Sequence, residues 1–188
     1  MFITMKSILV GISGASGTPY AVRLLRFLKE KDYTIYLAAS NGAKDIIKHE
    51  TNLSYEEVCS LADVVYENDD MFAGPASGSF SLDAMVVVPC SMKTLSAVAH
   101  GYADTFITRA STCMLKEKKP LVLVPRETPL DLAGLQNMVL CNQAGGQVLP
   151  AMPGFYHKPK TIDEIVDFIV GKILDQFHIA HDLYQKWK

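Results

Sequence analysis

Short, almost wholly apolar runs alternate along the chain with longer stretches in which apolar positions recur every three or four residues. The short runs predict strands at Ser7–Ile12, Tyr33–Ala38, Val64–Tyr66, Ala84–Val88, Leu121–Val124 and Gln147–Leu149. The longer ones predict helices over Pro19–Glu30, Ala43–Glu50, Tyr55–Leu61, Thr94–His100, Thr105–Lys116, Leu132–Ala144 and Ile162–Phe177. A continuous run such as Met85-Val86-Val87-Val88 suits a strand covered on both faces, as in a parallel sheet. Alternation of the two element types predicts an α/β fold with an open, doubly wound parallel sheet and ligands at the carboxyl ends of its strands. No linker or repeat divides residues 1–188, so one domain is expected. The polar stretch Glu67 to Ser81 reads as a mobile flap, and Pro153-Gly154-Phe155-Tyr156 is too irregular for core.

The first predicted strand feeds the turn Gly11-Ile12-Ser13-Gly14-Ala15-Ser16-Gly17, which opens the first helix. A helix N-terminus at such a turn offers free backbone N–H groups and a positive dipole end, which together make an anion site. The spacing is G-x-x-G-x-x-G rather than the G-x-G-x-x-G of dinucleotide binders, and it carries the hydroxyls of Ser13 and Ser16. The next strand ends near Ser40, where an NAD site would place an acidic residue for the ribose. These features favour a mononucleotide, FMN, over NAD.

Composition narrows the partners. With 49% hydrophobic residues and a mean hydropathy of +0.14, the chain is apolar enough to bury faces by self-association. A net charge of -2 gives no electrostatic basis for binding nucleic acid or an anionic membrane. Cys59, Cys90, Cys113 and Cys141 form no C-x-x-C pair, which suits a reducing cytoplasm and argues against a zinc site. No apolar run approaches the roughly 18 residues that span a bilayer, and no signal-peptide pattern precedes the first strand. A soluble, cytoplasmic protein is expected.

Several strand ends carry polar groups. After Ala84–Val88 come Pro89-Cys90 and then Ser91-Met92-Lys93-Thr94. Two readings stand for these hydroxyls: a plain helix cap, or, with Ser40 and the first turn, a cradle for an FMN phosphate and ribityl chain. The cradle is favoured. Leu121–Val124 ends in Pro125-Arg126-Glu127-Thr128-Pro129, either a solvated Arg–Glu pair or a cation and a proton-handling carboxylate beside the flavin. Arg109 and Lys116 lie two turns apart on one helix face. Glu50 is either an exposed helix end or a functional carboxylate. Cys90 reads as a core thiol, His100 as a helix-end residue and Glu117-Lys118-Lys119 as a solvated helix end. Asp69-Asp70 sits in a loop with no second acidic cluster, so no metal site emerges.

Over nearly its whole length the chain resembles the UbiX family of flavin prenyltransferases. The resemblance rests on Gly14-Ala15-Ser16, Pro75-Ala76-Ser77-Gly78-Ser79, Pro89-Cys90-Ser91-Met92-Lys93-Thr94, Leu115-Lys116-Glu117, Pro125-Arg126-Glu127-Thr128-Pro129-Leu130 and Pro153-Gly154-Phe155-Tyr156. It implies a Rossmann-like, flavodoxin-like three-layer sandwich, commonly a dodecamer whose active site lies where subunits meet. It implies joining of a dimethylallyl group from dimethylallyl monophosphate to N5 and C6 of reduced FMN, without a metal. The prenylated FMN then serves UbiD-type decarboxylases. By position, FMN contacts fall to Gly14, Ala15, Ser16, Ser40, Ser91, Met92, Lys93, Thr94 and Arg126. The donor phosphate falls to Arg109, Lys116, Tyr156 and Lys172, with Glu50 close by. Ser16, Glu127, Lys116 and Glu50 are the implied catalytic set, Glu127 being hydrogen-bonded through Ser16 and handling the proton at flavin N5. Two departures stand out: Lys172 where the family often has Arg, and Ser111-Thr112 where it has Ala-Asp.

The chemistry agrees with this implication. A phosphate leaving from an allylic carbon needs fixed cations and donors, and the developing cation gains from an electron-rich ring and from exclusion of water. The 67–81 stretch, Met152–Tyr156 and the tail around Trp187 are candidates for closure. Rival readings are a flavin-dependent decarboxylase of cysteine-like substrates, and a passive FMN-binding subunit of an aromatic acid decarboxylase.

Overall fold

The computed structural model describes residues 6–187. Its centre is a six-stranded parallel sheet in the order β3-β2-β1-β4-β5-β6. The strands are β1 (Ser7–Ile12), β2 (Thr34–Ala39), β3 (Val64–Glu67), β4 (Ala84–Cys90), β5 (Leu121–Pro125) and β6 (Gln147–Val148). The helices are α1 (Thr18–Glu30), α2 (Asn41–Glu50), α3 (Tyr55–Cys59), α4 (Met92–Ala99), α5 (Phe106–Lys116), α6 (Leu132–Gln143) and α7 (Ile162–Gln176). The chain order reverses between β1 and β4, which opens a crevice at the carboxyl ends of those two strands.

Period-2 alternation sorts the two faces. Ile8, Val10, Ile12, Ile35, Leu37, Val86, Val88, Val122 and Val124 pack with Leu24, Leu25 and Leu28 of α1, Ile47 of α2, and Ile169 and Ile173 of α7. Leu9, Met85, Val87, Leu121 and Leu123 pack on the other side with Leu95 of α4, Phe106 and Met114 of α5, and Cys141 of α6. Every strand of the pair β1 and β4 is therefore covered on both sides, as continuous apolar runs require. Each fully buried Leu or Ile stabilises the sandwich by roughly 1.5–3 kcal/mol against exposure. Gly11 admits Ile107 of α5, because a Cβ there would stand 3.3 Å from its Cγ2.

Two helices begin two residues earlier than the sequence predicts. α2 starts at Asn41 and α4 at Met92 because Ser40 and Ser91 are N-caps, their Oγ atoms accepting from Ala43 N (3.2 Å) and Thr94 N (3.3 Å). β4 also continues through Pro89 to Cys90, with irregular pairing to β5.

The 67–81 segment is not a flap. Asn68 accepts through its backbone oxygen from Phe106 N (2.8 Å) and through its side chain from Ile107 N (3.2 Å). Ala76 O accepts from Arg109 Nε (2.9 Å) and Phe80 O from Lys119 Nζ (3.0 Å). The segment is thus pinned along α5.

Candidate active site

Three turns meet at the carboxyl ends of β1, β2 and β4. Gly14 of the first touches Gly42 of the second, with only 3.6 Å between a Cβ built at Gly14 and the Gly42 Cα. Ser13 locks the first turn to the third. Its N and Oγ both donate to Pro89 O at 3.1 Å, and its Oγ accepts from Ser91 N at 2.7 Å. This hydroxyl is fully used and 1% exposed, so it is a strut rather than a ligand.

Glu50 changes the expectation for the first turn. Its Oε2 accepts from Gly17 N (2.8 Å), Thr18 N (2.9 Å) and Thr18 Oγ1 (2.9 Å). Burial pushes its carboxyl up, but the Ser16 hydroxyl and the donors of Gly17 and Thr18 outweigh burial and hold it below the usual carboxylate range. The N-terminus of α1, predicted to receive a phosphate, is therefore capped by this chain's own carboxylate. Gly17 makes the fit possible at φ +116°, and a Cβ there would stand 3.0 Å from the Tyr20 ring. The Tyr20 hydroxyl is pushed up mainly by burial, with Arg126 pulling it down and Glu50 pushing it up, so it stands between those charges. Sequence reasoning missed Tyr20; its signal was position, since a first-turn side chain folds back over the helix N-terminus.

The anion-binding capacity sits on the other two turns. The N–H groups of Asn41, Gly42, Met92 and Lys93 have no protein acceptor among the described residues, as the first turn of a helix dictates. Capping does not use up these hydroxyls. Ser40 and Ser91 cap their helices, yet the Ser40 proton remains free to donate. Ser91 Oγ donates to Thr94 Oγ1 (3.0 Å), which leaves the Thr94 proton free. Met92 contributes through its backbone, for its side chain packs on Gly134 of α6. Lys93 is exposed and has no ion-pair partner among the described residues. Arg126 crosses the crevice, its Nε donating to Ser16 O at 3.2 Å.

Glu127 is exposed and accepts from Thr128 N (3.1 Å), not from Ser16, which lies on the Glu50 side. Arg109 and Lys116 share a stripe of α5, as the spacing predicts, and flank residues 76–78. Lys116 does not join Glu127. α5 leads into the amino end of β5, and Met85 N at the amino end of β4 donates to Pro120 O (3.0 Å), so Lys116 sits at the opposite edge of the sheet. At about 3.3 Å per strand residue, that edge is some 15–20 Å from the crevice. Among the described residues the one carboxylate that Lys116 reaches is Glu117, at 3.8 Å from its Oε1. Tyr156 and Lys172 form a third group: Tyr156 packs edge-on against Trp187 (5.3 Å) and Phe168 (5.8 Å), and Lys172 lies 3.8 Å from Asp175. Among the described residues no three His, Cys, Asp or Glu side chains come together to hold a metal ion, and no helix is long and apolar enough to cross a membrane.

A doubly wound sheet with hydroxyl-bearing helix starts at its switch point defines an α/β mononucleotide-binding protein, and the Flavoprotein family model matches residues 3–174. The chain is 49% identical to the flavin prenyltransferase UbiX of Thermoplasma acidophilum over 180 residues, 96% of this chain and 99% of that one. It belongs to the UbiX flavin prenyltransferase family. The crystal structure of AnUbiX (PadA1) in complex with FMN and dimethylallyl pyrophosphate superposes with a TM-score of 0.96 at 40% identity, covering 98% of each chain. A dodecameric FMN-dependent UbiX-like decarboxylase from Escherichia coli O157:H7 superposes at 0.94 with 43% identity, covering 97% of this chain and 99% of that one. The peptidyl-cysteine decarboxylase EpiD shares the fold alone, with a TM-score of 0.63 at 15% identity.

Proposed function

We propose that this chain transfers the dimethylallyl group of dimethylallyl monophosphate to N5 and C6 of reduced FMN, yielding prenylated FMN for a UbiD-type decarboxylase. The observation that carries the reading is the set of unspent donors at the β1/β4 crevice: the Ser40 and Thr94 hydroxyls, and the N–H groups of Asn41, Gly42, Met92 and Lys93. Six uncharged donors beside Lys93 and Arg126 fit the phosphate of a mononucleotide. Reduced FMN, once bound, supplies the electron-rich ring that attacks the allylic carbon. The chain's own groups do the rest. Gly14 and Ala15 let the ring approach the backbone, Arg126 holds the Ser16 turn, and Glu127 handles the proton at flavin N5 and assists ring closure. Glu50 keeps the α1 turn in place with its ionised carboxylate and rejects a phosphate there.

Departure of the donor phosphate requires cations, and one protomer leaves Lys116 at the amino edge of its sheet. We read the site as completed by neighbouring copies in a homo-oligomer, a dodecamer as in the Escherichia coli relative. α6 supports this, because Leu132, Leu135 and Val139 form an exposed apolar stripe (71%, 47% and 56%). The same set of groups separates this reading from a cysteine-type decarboxylase, which has no use for a donor-phosphate lysine. The free thiols fit our placement of the protein in the cytoplasm. Lys116→Ala tests the reading: prenyl transfer falls by about 10²-fold or more while FMN affinity is unchanged. Full turnover in that variant would contradict it.

A further inference from the structure

The segment after α7 folds back onto it around one carboxylate. Asp175 Oδ2 accepts from the Tyr184 hydroxyl at 2.6 Å, and Oδ1 accepts from His181 Nε2 at 3.2 Å and Lys186 Nζ at 3.0 Å. Lys172, one turn earlier, lies 3.8 Å from Oδ2 and 6.0 Å from the Tyr184 ring centroid. His181 Nδ1 accepts from Leu183 N (3.3 Å), so the ring proton sits on Nε2 and points at Asp175 in a neutral imidazole. Both ring nitrogens are thereby satisfied in a side chain that is 1% exposed.

Gly171 explains how the tail comes so close. A glycine inside a helix weakens it relative to alanine, so its presence here calls for a packing reason. Here a Cβ would stand 2.6 Å from Tyr184 Cδ1 and 2.8 Å from His181 Cε1. The two rings rest on the bare face of the helix that the missing side chain leaves. From this seat the tail reaches the 153–157 segment: Trp187 meets Tyr156 edge-on at 5.3 Å, and His157, stacked on Phe168 at 5.2 Å, lies 6.4 Å from Tyr184.

We propose that Asp175 is a positioning residue: with Gly171 it seats residues 178–187, and through that seat it fixes Tyr156 and Lys172 for the donor phosphate. The proposal rests on the functional reading above for its last clause only. Asp175 aims the Lys172 ammonium, and Tyr184 with Trp187 holds Tyr156 upright against the tail. The groups facing Asp175 are Tyr184, His181, Lys186 and Lys172, with His157 and Tyr156 behind Tyr184. Burial pushes the Asp175 carboxyl up, but Tyr184, Lys186 and His181 outweigh it and hold it below its usual value. The seat is therefore intact above the ordinary carboxylate range, about pH 4, and weakens only as pH falls through the lower folded value.

Trp187 is the single tryptophan, so its fluorescence reports the tail alone. Time-resolved anisotropy is measured on the full chain, free of flavin and donor, for wild type, Asp175→Asn and Gly171→Ala. The proposal expects Trp187 to tumble with the whole particle in wild type and to gain a fast component in both variants. It also expects the donor KM to rise about tenfold and kcat to fall with it, with FMN affinity within about twofold. Unchanged anisotropy in both variants overturns the seat. A fast component with an unchanged donor KM overturns the positioning role. If wild type itself prenylates nothing, the functional reading fails and the anisotropy still decides whether the seat exists.

Discussion

Glu50→Ala is the perturbation that most sharply probes the construction of the crevice. The substitution removes the acceptor of the Gly17 N, Thr18 N and Thr18 Oγ1 hydrogen bonds, all at 2.8–2.9 Å. Loss of an N-cap costs about 1 kcal/mol and loss of a charged acceptor about 1.5–3 kcal/mol. The carboxylate is partly exposed, so water recovers some of this, and a net loss of about 2 kcal/mol follows. For a chain of this length each kcal/mol moves Tm by roughly 2–4 °C, so calorimetry should show a fall of roughly 4–8 °C. Glu50→Gln keeps an acceptor and gives up only the charge–dipole part, up to about 1 kcal/mol. The pH dependence has a definite sign. Because the folded carboxyl lies below its ordinary value, its contribution is whole above about pH 4.3 and disappears as pH falls through the lowered value. Acid titration of the Gln variant should lack that component, and acetate should restore part of the Ala variant's loss by occupying the vacated helix end. A Tm for Glu50→Ala within a degree of wild type would refute the capping argument.

Two further outcomes follow from the geometry. Gly17→Ala forces a Cβ into φ +116° and to within 3.0 Å of the Tyr20 ring, so we expect a loss of about 1–3 kcal/mol in chemical denaturation and weakened FMN binding in fluorescence titration. Lys116→Ala and Glu127→Gln, each inactive alone, should regain activity when the two chains are mixed and reassembled, since the shared site places the residues on different copies; no recovery would put them in one protomer.

The order of elements and the crevice were legible in the sequence because both depend on local pattern: apolar runs of strand length, and hydroxyls at the starts of helices. Contacts distant along the chain were not. Glu50 is 33 residues from Gly17, and nothing in the local pattern around either shows that the end of α2 delivers a carboxylate to the start of α1. The strut role of Ser13 was hidden in the same way, because its partners Pro89 and Ser91 lie 76 and 78 residues away. Helical spacing correctly put Arg109 and Lys116 on one face, but spacing carries no information about which edge of the sheet that face meets. The Gly171 seat was invisible for the same reason: a helix glycine shows its purpose only when the rings resting on it are seen.

Anaerobic incubation of the protein with reduced FMN and dimethylallyl monophosphate, followed by mass spectrometry of the released flavin, tests the central claim most directly. The account predicts a flavin heavier by one dimethylallyl unit, formed without added divalent metal. Recovery of unmodified FMN alone, from protein shown to bind both ligands, would contradict it.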